Sequence, residues 1–240
     1  MGPLAGRVIL VVGASRGLGA RVAPRLAAMG AHLVLVARTQ GGLEETDDRV
    51  REAGGAATLL PLDITDFDAV DRLGPSVYQR FGRLDGLLVT AARLGRLMPV
   101  AQADPEWFQD LLRVHVLAAQ HLIRTADPLL RRAEAGRAVF CTCRIAAQPR
   151  AYFGHIAAAK AALEALVEAY AQEVRKTPMR VHLFDPGPME SRFRRDAFPG
   201  EPPGRMPSPE RAAARLAELF HEDAPLRVGV DADPAPERVL

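Results

Sequence analysis

The chain has 240 residues, of which 48% are hydrophobic and 25% are charged, and its formal net charge is +2. This composition is ordinary for a soluble globular protein, and the small net charge gives no reason to expect nucleic acid as a partner. No apolar stretch approaches the length of a membrane span, and the start 1–6 has neither a signal-peptide nor a myristoylation pattern. We therefore expect a cytoplasmic protein without a membrane partner.

Short apolar runs alternate with longer segments of helical pattern along the whole chain. The runs predict strands at Val8–Val12, Leu33–Val36, Thr58–Leu62, Leu87–Val89, Ala138–Cys141, Val181–Phe184 and Leu226–Val230. The helical segments lie near 18–29, 42–53, 67–81, 105–133, 152–176 and 209–221. Because the strands are continuously apolar, both of their faces are buried, which is typical of a parallel sheet. We predict a doubly wound α/β fold of about seven strands with helices on both faces, as one domain over 1–240.

One segment departs from this alternation. Residues 186–209 contain seven prolines and several arginines, and they follow a predicted strand. They therefore lie at the carboxyl edge of the sheet, where ligands bind in open α/β folds. The segment is either a surface loop or a lid over a substrate.

The two cysteines, Cys141 and Cys143, are two residues apart on one predicted strand. Their side chains point the same way and lie about 6.6 Å apart, which disfavours a disulfide. Free cysteines fit a reducing compartment. We predict no metal site.

A glycine-rich loop joins the first strand to the first helix. It reads Gly13-Ala-Ser-Arg-Gly17-Leu-Gly19, and such a loop lets a phosphate approach the helix N-terminus. The Gly-x-x-x-Gly-x-Gly spacing resembles the short-chain dehydrogenase/reductase family, and the resemblance covers nearly the whole chain. It implies a Rossmann-type fold and a dinucleotide held by Gly13, Ser15, Arg16, Gly17, Leu18 and Gly19.

The second strand is followed by Arg38, where an acidic residue would bind the ribose of NAD. A guanidinium there suits a 2′-phosphate instead, and Arg16 offers a second cation. We therefore expect NADP(H) as the cofactor. By the same resemblance, further cofactor contacts come from Asp63, Ile64, Ala91, Pro186, Gly187 and Ser191. Arg93 stands where the family has a glycine that makes room for the ribose.

The family's chemistry uses a tyrosine as proton donor, a lysine four residues later, a serine and an asparagine. Lys160 fits the lysine, but the tyrosine position holds Ile156, the serine position Cys143 and the asparagine position His115. Tyr152 lies eight residues before the lysine, so a shifted register does not restore the pair. The resemblance therefore implies a degenerate catalytic tetrad with only the lysine retained.

Three functions remain open at this point. The chain binds NADP(H) with ordinary carbonyl reduction lost or weakened, or it is an active NADPH-dependent oxidoreductase, or it is an interaction subunit without a cofactor. In an active enzyme His115 could titrate near neutrality as a substitute acid, although a histidine satisfied within a helix interface is the alternative. Cys143 could act as a nucleophile if its pKa were lowered, or a bound water could serve. The substrate, if there is one, is a small molecule of unknown identity. By the same resemblance, the long helices near 105–133 and 152–176 pair across a two-fold axis, which implies a homodimer or homotetramer.

Overall fold

The computed structural model describes residues 2–230 and contains a seven-stranded parallel sheet in the order β3-β2-β1-β4-β5-β6-β7. The strands are β1 Val8–Val12, β2 His32–Ala37, β3 Ala56–Pro61, β4 Gly86–Val89, β5 Arg137–Cys141, β6 Arg180–Asp185 and β7 Arg227–Gly229. All seven predicted strands are present, and each observed boundary lies within two residues of the predicted one. The largest difference is in β3, which starts at Ala56 because it pairs in register with His32 of β2.

Helices cover both faces of the sheet, as predicted. They are α1 Gly17–Ala28, α2 Gln40–Glu52, α3 Phe67–Asp71, α4 Leu73–Phe81, α5 Pro105–Leu112, α6 Ala118–Leu130, α7 Gly154–Val174, α8 Arg192–Ala197 and α9 Glu210–Glu218. None of these helices, within residues 2–230, is long and apolar enough to cross a membrane.

Two predicted helices are interrupted. The segment 67–81 divides into α3 and α4 at Arg72, and the segment 105–133 contains a π-helical turn at Arg113–Leu117 between α5 and α6. A π-turn inserts one residue into a helix without breaking its apolar face, so the hydrophobic spacing does not reveal it. The predicted start of α5 is confirmed, since the Asp104 side chain accepts a hydrogen bond from the Glu106 backbone N–H.

The core consists of two layers, one on each side of the sheet. In β1, Ile9 and Val11 point into the layer that holds α1 and α9, whereas Leu10 and Val12 point into the layer that holds α6 and α7. All five residues of β1 are buried. A strand that is apolar on both faces needs helices packed on each side of it. This requirement explains why β1 lies in the centre of the sheet.

The proline-rich segment 186–209 is not entirely irregular, because it contains the short helix α8. Ser191 caps this helix by accepting a hydrogen bond from the Arg194 backbone N–H at 3.0 Å. The Arg194 guanidinium pairs with Glu201 through two hydrogen bonds of 2.8 Å, and both side chains are largely buried. The segment is therefore held together by its own contacts.

Candidate cofactor and active site

A cavity of about 1470 Å³ opens at the carboxyl edge of the sheet. The residue directly after each of the strands β1 to β6 lies on its wall, namely Gly13, Arg38, Leu62, Thr90, Thr142 and Pro186. Cavities that hold one small ligand usually measure about 300–1000 Å³, so this cavity has room for an extended ligand and a second molecule beside it. Open parallel sheets bind their ligands at this edge.

The glycine loop after β1 adopts conformations that need glycine. Gly13 has a φ of 92°, and a Cβ there would lie 2.6 Å from the backbone nitrogen of Ala91. Gly17 has a φ of 61° and faces open space. Gly19 does not line the cavity, and a Cβ there would approach the Gly13 carbonyl oxygen to 2.5 Å. Its role is therefore the close packing of α1 against the loop.

The N-terminus of α1 faces this cavity without a side-chain cap. The capping residue is Arg16, whose side chain makes no capping hydrogen bond and is exposed. Ser15, Gly17 and Leu18 line the cavity beside it. The first backbone N–H groups of the helix therefore remain available to an anion, to which the helix dipole adds a favourable field.

Arg38 and Asp63 meet at the next part of the wall, with 3.7 Å between Nη1 of the arginine and Oδ2 of the aspartate. Burial alone would raise the pKa of Asp63, but this pKa is lowered overall because Thr65 donates two hydrogen bonds to the carboxylate and the Arg38 guanidinium lies nearby. More than half of the Arg38 side chain is exposed. Its guanidinium is thus a solvent-exposed cation at the end of β2.

The sequence implies that Arg93 leaves less room for a ribose than the family's glycine would. Both the contact of its side chain and its backbone conformation argue against this. Its guanidinium donates to Asp110 of α5 at 3.0 Å, on the protein surface. Its φ is not positive, since Tyr152 is the one non-glycine residue with positive φ among residues 2–230. The side chain is therefore drawn toward α5 by an ion pair, and the backbone needs no glycine at this position.

The helix α7 brings Ile156 and Lys160 to the cavity wall, one turn apart, as the predicted register requires. Lys160 is 4% exposed, and its Nζ donates to the Cys141 carbonyl oxygen at 2.9 Å. Ile156 is 2% exposed and packs with Leu111. Tyr152 is 60% exposed and does not lie on the wall. The residue that faces the cavity one turn before the lysine is thus a hydrocarbon.

His115 lies on the π-helical turn and does not reach the cavity wall. It is 2% exposed, and its Nε2 lies 2.8 Å from the Arg93 carbonyl oxygen, to which a neutral imidazole can donate. Burial and then the Lys160 charge lower the pKa of His115 to about 3. A substitute acid that titrates near neutrality is therefore disfavoured. The histidine is instead buried between packed segments, where Nε2 is hydrogen-bonded but Nδ1 has no hydrogen-bond partner among the described residues.

Cys143, which the resemblance places at the serine position, lies on the cavity wall. Burial raises the pKa of its thiol, against the smaller opposing effect of the Lys160 charge. A nucleophilic cysteine needs a lowered pKa, so the nucleophile hypothesis does not hold. Cys141 and Cys143 are both free, as the spacing predicts.

The segment after β6 forms one side of the cavity over residues 185–199. Asp185 accepts a hydrogen bond from the Gly187 backbone N–H at 2.9 Å, and Gly187 has a φ of 67°. Pro186 and Ser191 lie on the same wall. Sequence reasoning missed the apolar residues that line the cavity further on, which are Leu94, Leu97, Val114, Phe153, Phe193 and Phe198. Of these, Phe193 and Phe198 lie within the segment 186–209 that the sequence offers as a possible lid, and Phe153 precedes Ile156 by nearly one helical turn.

The family model described as short chain dehydrogenase matches residues 7–202. The chain belongs to the short-chain dehydrogenase family. The oxidoreductase YciK of Escherichia coli K12, which is uncharacterized, is 31% identical over 235 residues that cover 97% of this chain and 93% of that protein.

Solved structures of other short-chain dehydrogenases have the same fold. One from Pseudomonas syringae is 33% identical with a TM-score of 0.90 and covers 95% of this chain and 96% of its own. Another, from Escherichia coli CFT073, was solved in complex with NADPH and is 29% identical with a TM-score of 0.89; the match covers 95% of this chain and 97% of that one.

Proposed function

We propose that this short-chain dehydrogenase binds NADP(H) and that its ordinary carbonyl reduction is lost or weak. One observation carries the proposal: Ile156 occupies the cavity wall one helical turn before Lys160, where the family's reaction needs a proton donor. Isoleucine cannot transfer a proton, and the loss of a positioned acid lowers a rate by about 10²–10⁴.

The residues of the cavity fit a dinucleotide with a 2′-phosphate. The uncapped N-terminus of α1 and the open conformation of Gly17 suit the pyrophosphate, while Arg38 and Arg16 suit the 2′-phosphate. The NADPH complex of the Escherichia coli relative supports this choice. When bound, the nicotinamide supplies or accepts a hydride.

At the other end, the chain can position a ligand but has little to offer a reacting oxygen. Lys160 is held by the Cys141 carbonyl and contributes a fixed positive charge. The Cys143 thiol is a weaker hydrogen-bond donor than the serine that it replaces. Neither a tyrosine nor a histidine lies on the cavity wall among residues 2–230. Among the described residues, the arrangement therefore suits a cofactor and a ligand but offers neither a tyrosine nor a histidine as the proton donor between them.

The test has two measurements on the same preparation. NADPH binding is followed by the fluorescence of the cofactor, and turnover is measured with a panel of aldehydes and ketones. We expect binding in the micromolar range or tighter, with turnover at least about 10²-fold below that of a family member with a complete tetrad. Rapid turnover would refute the loss of chemistry, and absence of NADPH binding would favour an interaction subunit instead.

We also propose that the chain forms a homodimer or homotetramer in the cytoplasm. Support comes from the long helices α5–α6 and α7, where Trp107 and Leu117 remain exposed, and from the two free cysteines, which suit a reducing compartment. Light scattering at micromolar concentration should give at least twice the mass of 25.9 kDa. Leu117→Asp should lower that mass, whereas Tyr78→Asp, at an exposed aromatic of α4, serves as its control.

A further inference from the structure

The half of the cavity beyond Lys160 has an apolar wall made by Ile156, Phe153, Phe193 and Phe198. Phe153 and Phe193 pack against the cluster that contains Ile156. The rings of Phe153 and Phe198 stack with 5.7 Å between their centroids. Helix α8 and its flanks thus meet α7 through hydrocarbon, and a ligand that enters here loses water from apolar surface on both sides.

The same cavity is lined by more cations than carboxylates. Ten arginine and lysine residues line it, against four aspartates and glutamates. Three of the ten, Arg21, Arg93 and Arg194, pair with carboxylates outside the lining. The substrate half, by which we mean the wall around Phe153, Phe193 and Phe198, also carries cations, since Arg192 and Arg195 lie on α8 with Phe193.

Arg195 is the cation best placed for a second ligand. It is exposed, it lines the cavity from α8, and within residues 2–230 its side chain forms no ion pair or hydrogen bond. Arg192, one turn away along the chain, pairs with Asp196 at 3.6 Å, and more than half of each side chain is exposed. A carboxylate that arrives here meets a guanidinium without displacing an internal partner.

We propose that the substrate half takes an amphipathic anion, a molecule with a hydrocarbon body and a carboxylate at one end. The hydrocarbon lies on the apolar wall, and the carboxylate pairs with Arg195 at the mouth. This inference deepens the proposed function, on which it rests for the presence of NADP(H) in the other half. It also gives Ile156 a use, since the side chain that cannot donate a proton adds to the surface that binds the hydrocarbon.

The experiment is isothermal titration calorimetry of the full chain with saturating NADPH. The probes are hexanoate, octanoate, decanoate and 1-octanol. We expect each pair of added methylenes to tighten binding about fifteenfold until the wall is covered, because each buried methylene contributes a constant increment. Octanoate should bind about tenfold tighter than 1-octanol, because only the carboxylate can pair with Arg195.

Two variants separate the two contributions. Arg195→Gln should weaken octanoate about tenfold and leave 1-octanol unchanged, whereas Phe193→Ser should weaken both. The matched controls are Arg205→Gln, in the same segment but outside the cavity wall, and Val100→Ser, at an apolar side chain that is 68% exposed. Thermal unfolding of each variant checks that it is folded.

Parallel titration of NADPH by fluorescence distinguishes the two proposals. If NADPH binds but affinity depends neither on chain length nor on Arg195, the amphipathic-anion inference is overturned and the proposed function stands. If NADPH does not bind, the proposed function fails. The same titrations on the cofactor-free protein then decide the inference, which requires both the chain-length dependence and the Arg195→Gln effect.

Discussion

The glycine-loop end of the cavity is built from backbone conformation, whereas the α7 end is built from side chains. At the first end, Gly13 and Gly17 have φ values that other residues rarely adopt, and Gly13 and Gly19 leave no space for a Cβ. At the second end, Ile156 and Cys143 lie in ordinary backbone, and a different side chain changes the chemistry without changing the chain's path. The comparison shows why a fold can keep its cofactor end after its catalytic groups have been replaced.

Restoring the side chains is the strongest test of this contrast. In the triple variant Ile156→Tyr, Cys143→Ser and His115→Asn, we expect carbonyl reduction with NADPH to rise by up to about 10²–10⁴, the usual contribution of a positioned acid. Steady-state rates on a carbonyl panel measure it. The same triple with Phe instead of Tyr at position 156 is the matched control, because it has the ring without the hydroxyl.

The repaired chemistry should also need Lys160, whose charge lowers the pKa of a neighbouring tyrosine. Adding Lys160→Ala to the triple variant is expected to remove most of the gain. A repaired protein that binds NADPH and reduces nothing would show that position 156 is not where the proton is required.

Substitutions in the glycine loop should lower the free energy of unfolding. Gly13→Ala combines a positive φ with a 2.6 Å approach to the Ala91 nitrogen, and we expect it to lower the free energy of unfolding by about 2–5 kcal/mol. Urea denaturation measures it. Gly41→Ala is the control, since a Cβ there meets nothing within 4 Å, and its effect should stay within about 1 kcal/mol. Equal effects of the two substitutions would contradict the proposed importance of backbone conformation.

At the glycine-loop end, the choice between NADPH and NADH depends on a side chain, that of Arg38. We expect NADPH to bind at least about tenfold tighter than NADH, because a guanidinium–phosphate pair contributes about 1.5–3 kcal/mol. Arg38→Asp should remove that preference, and fluorescence titration of both cofactors measures it. Arg205→Asp makes the same charge change outside the cavity and should leave the ratio as it was. An unchanged ratio in Arg38→Asp would exclude this residue from the choice.

A further effect concerns His115, whose pKa is about 3 in the folded protein and about 6.5 when unfolded. Between these values the unfolded chain binds a proton that the folded chain does not. The contribution of His115 to stability is therefore present above pH 6.5 and falls by about 1.4 kcal/mol for each pH unit below it. Unfolding of the protein and of His115→Asn from pH 7.5 to 5 should show this difference, and parallel pH profiles would argue against a buried neutral imidazole.

Much of the fold could be predicted because the strands carry an unambiguous pattern. Val8–Val12 is apolar at every position, and only a strand covered on both faces requires that. The breaks at Arg72 and at Arg113–Leu117 could not be predicted, because the apolar spacing continues across them. A helix that changes its hydrogen-bonding pattern need not change its buried face.

The contacts in the site could be predicted where sequence spacing alone decides which residues lie together. Ile156 and Lys160 lie together because residues four apart share a helix face. The state of His115 was not predictable, because its pKa depends on burial and on the charge of Lys160, which lies 45 residues away in the chain. Likewise, only tertiary structure shows that Asp110 draws the Arg93 guanidinium to the surface.

The order of the sheet also bears on how the chain folds during its synthesis. The central strand β1 pairs with β2 on one side and with β4 on the other, and β4 begins only at Gly86. At about 5–20 residues per second, a ribosome needs roughly 4–15 s to extend the chain from Val12 to Gly86. Throughout that interval one edge of the most apolar strand has no partner of its own, and an open apolar edge can pair with another chain. Nascent chains of this protein should therefore depend on chaperones most strongly before β4 emerges.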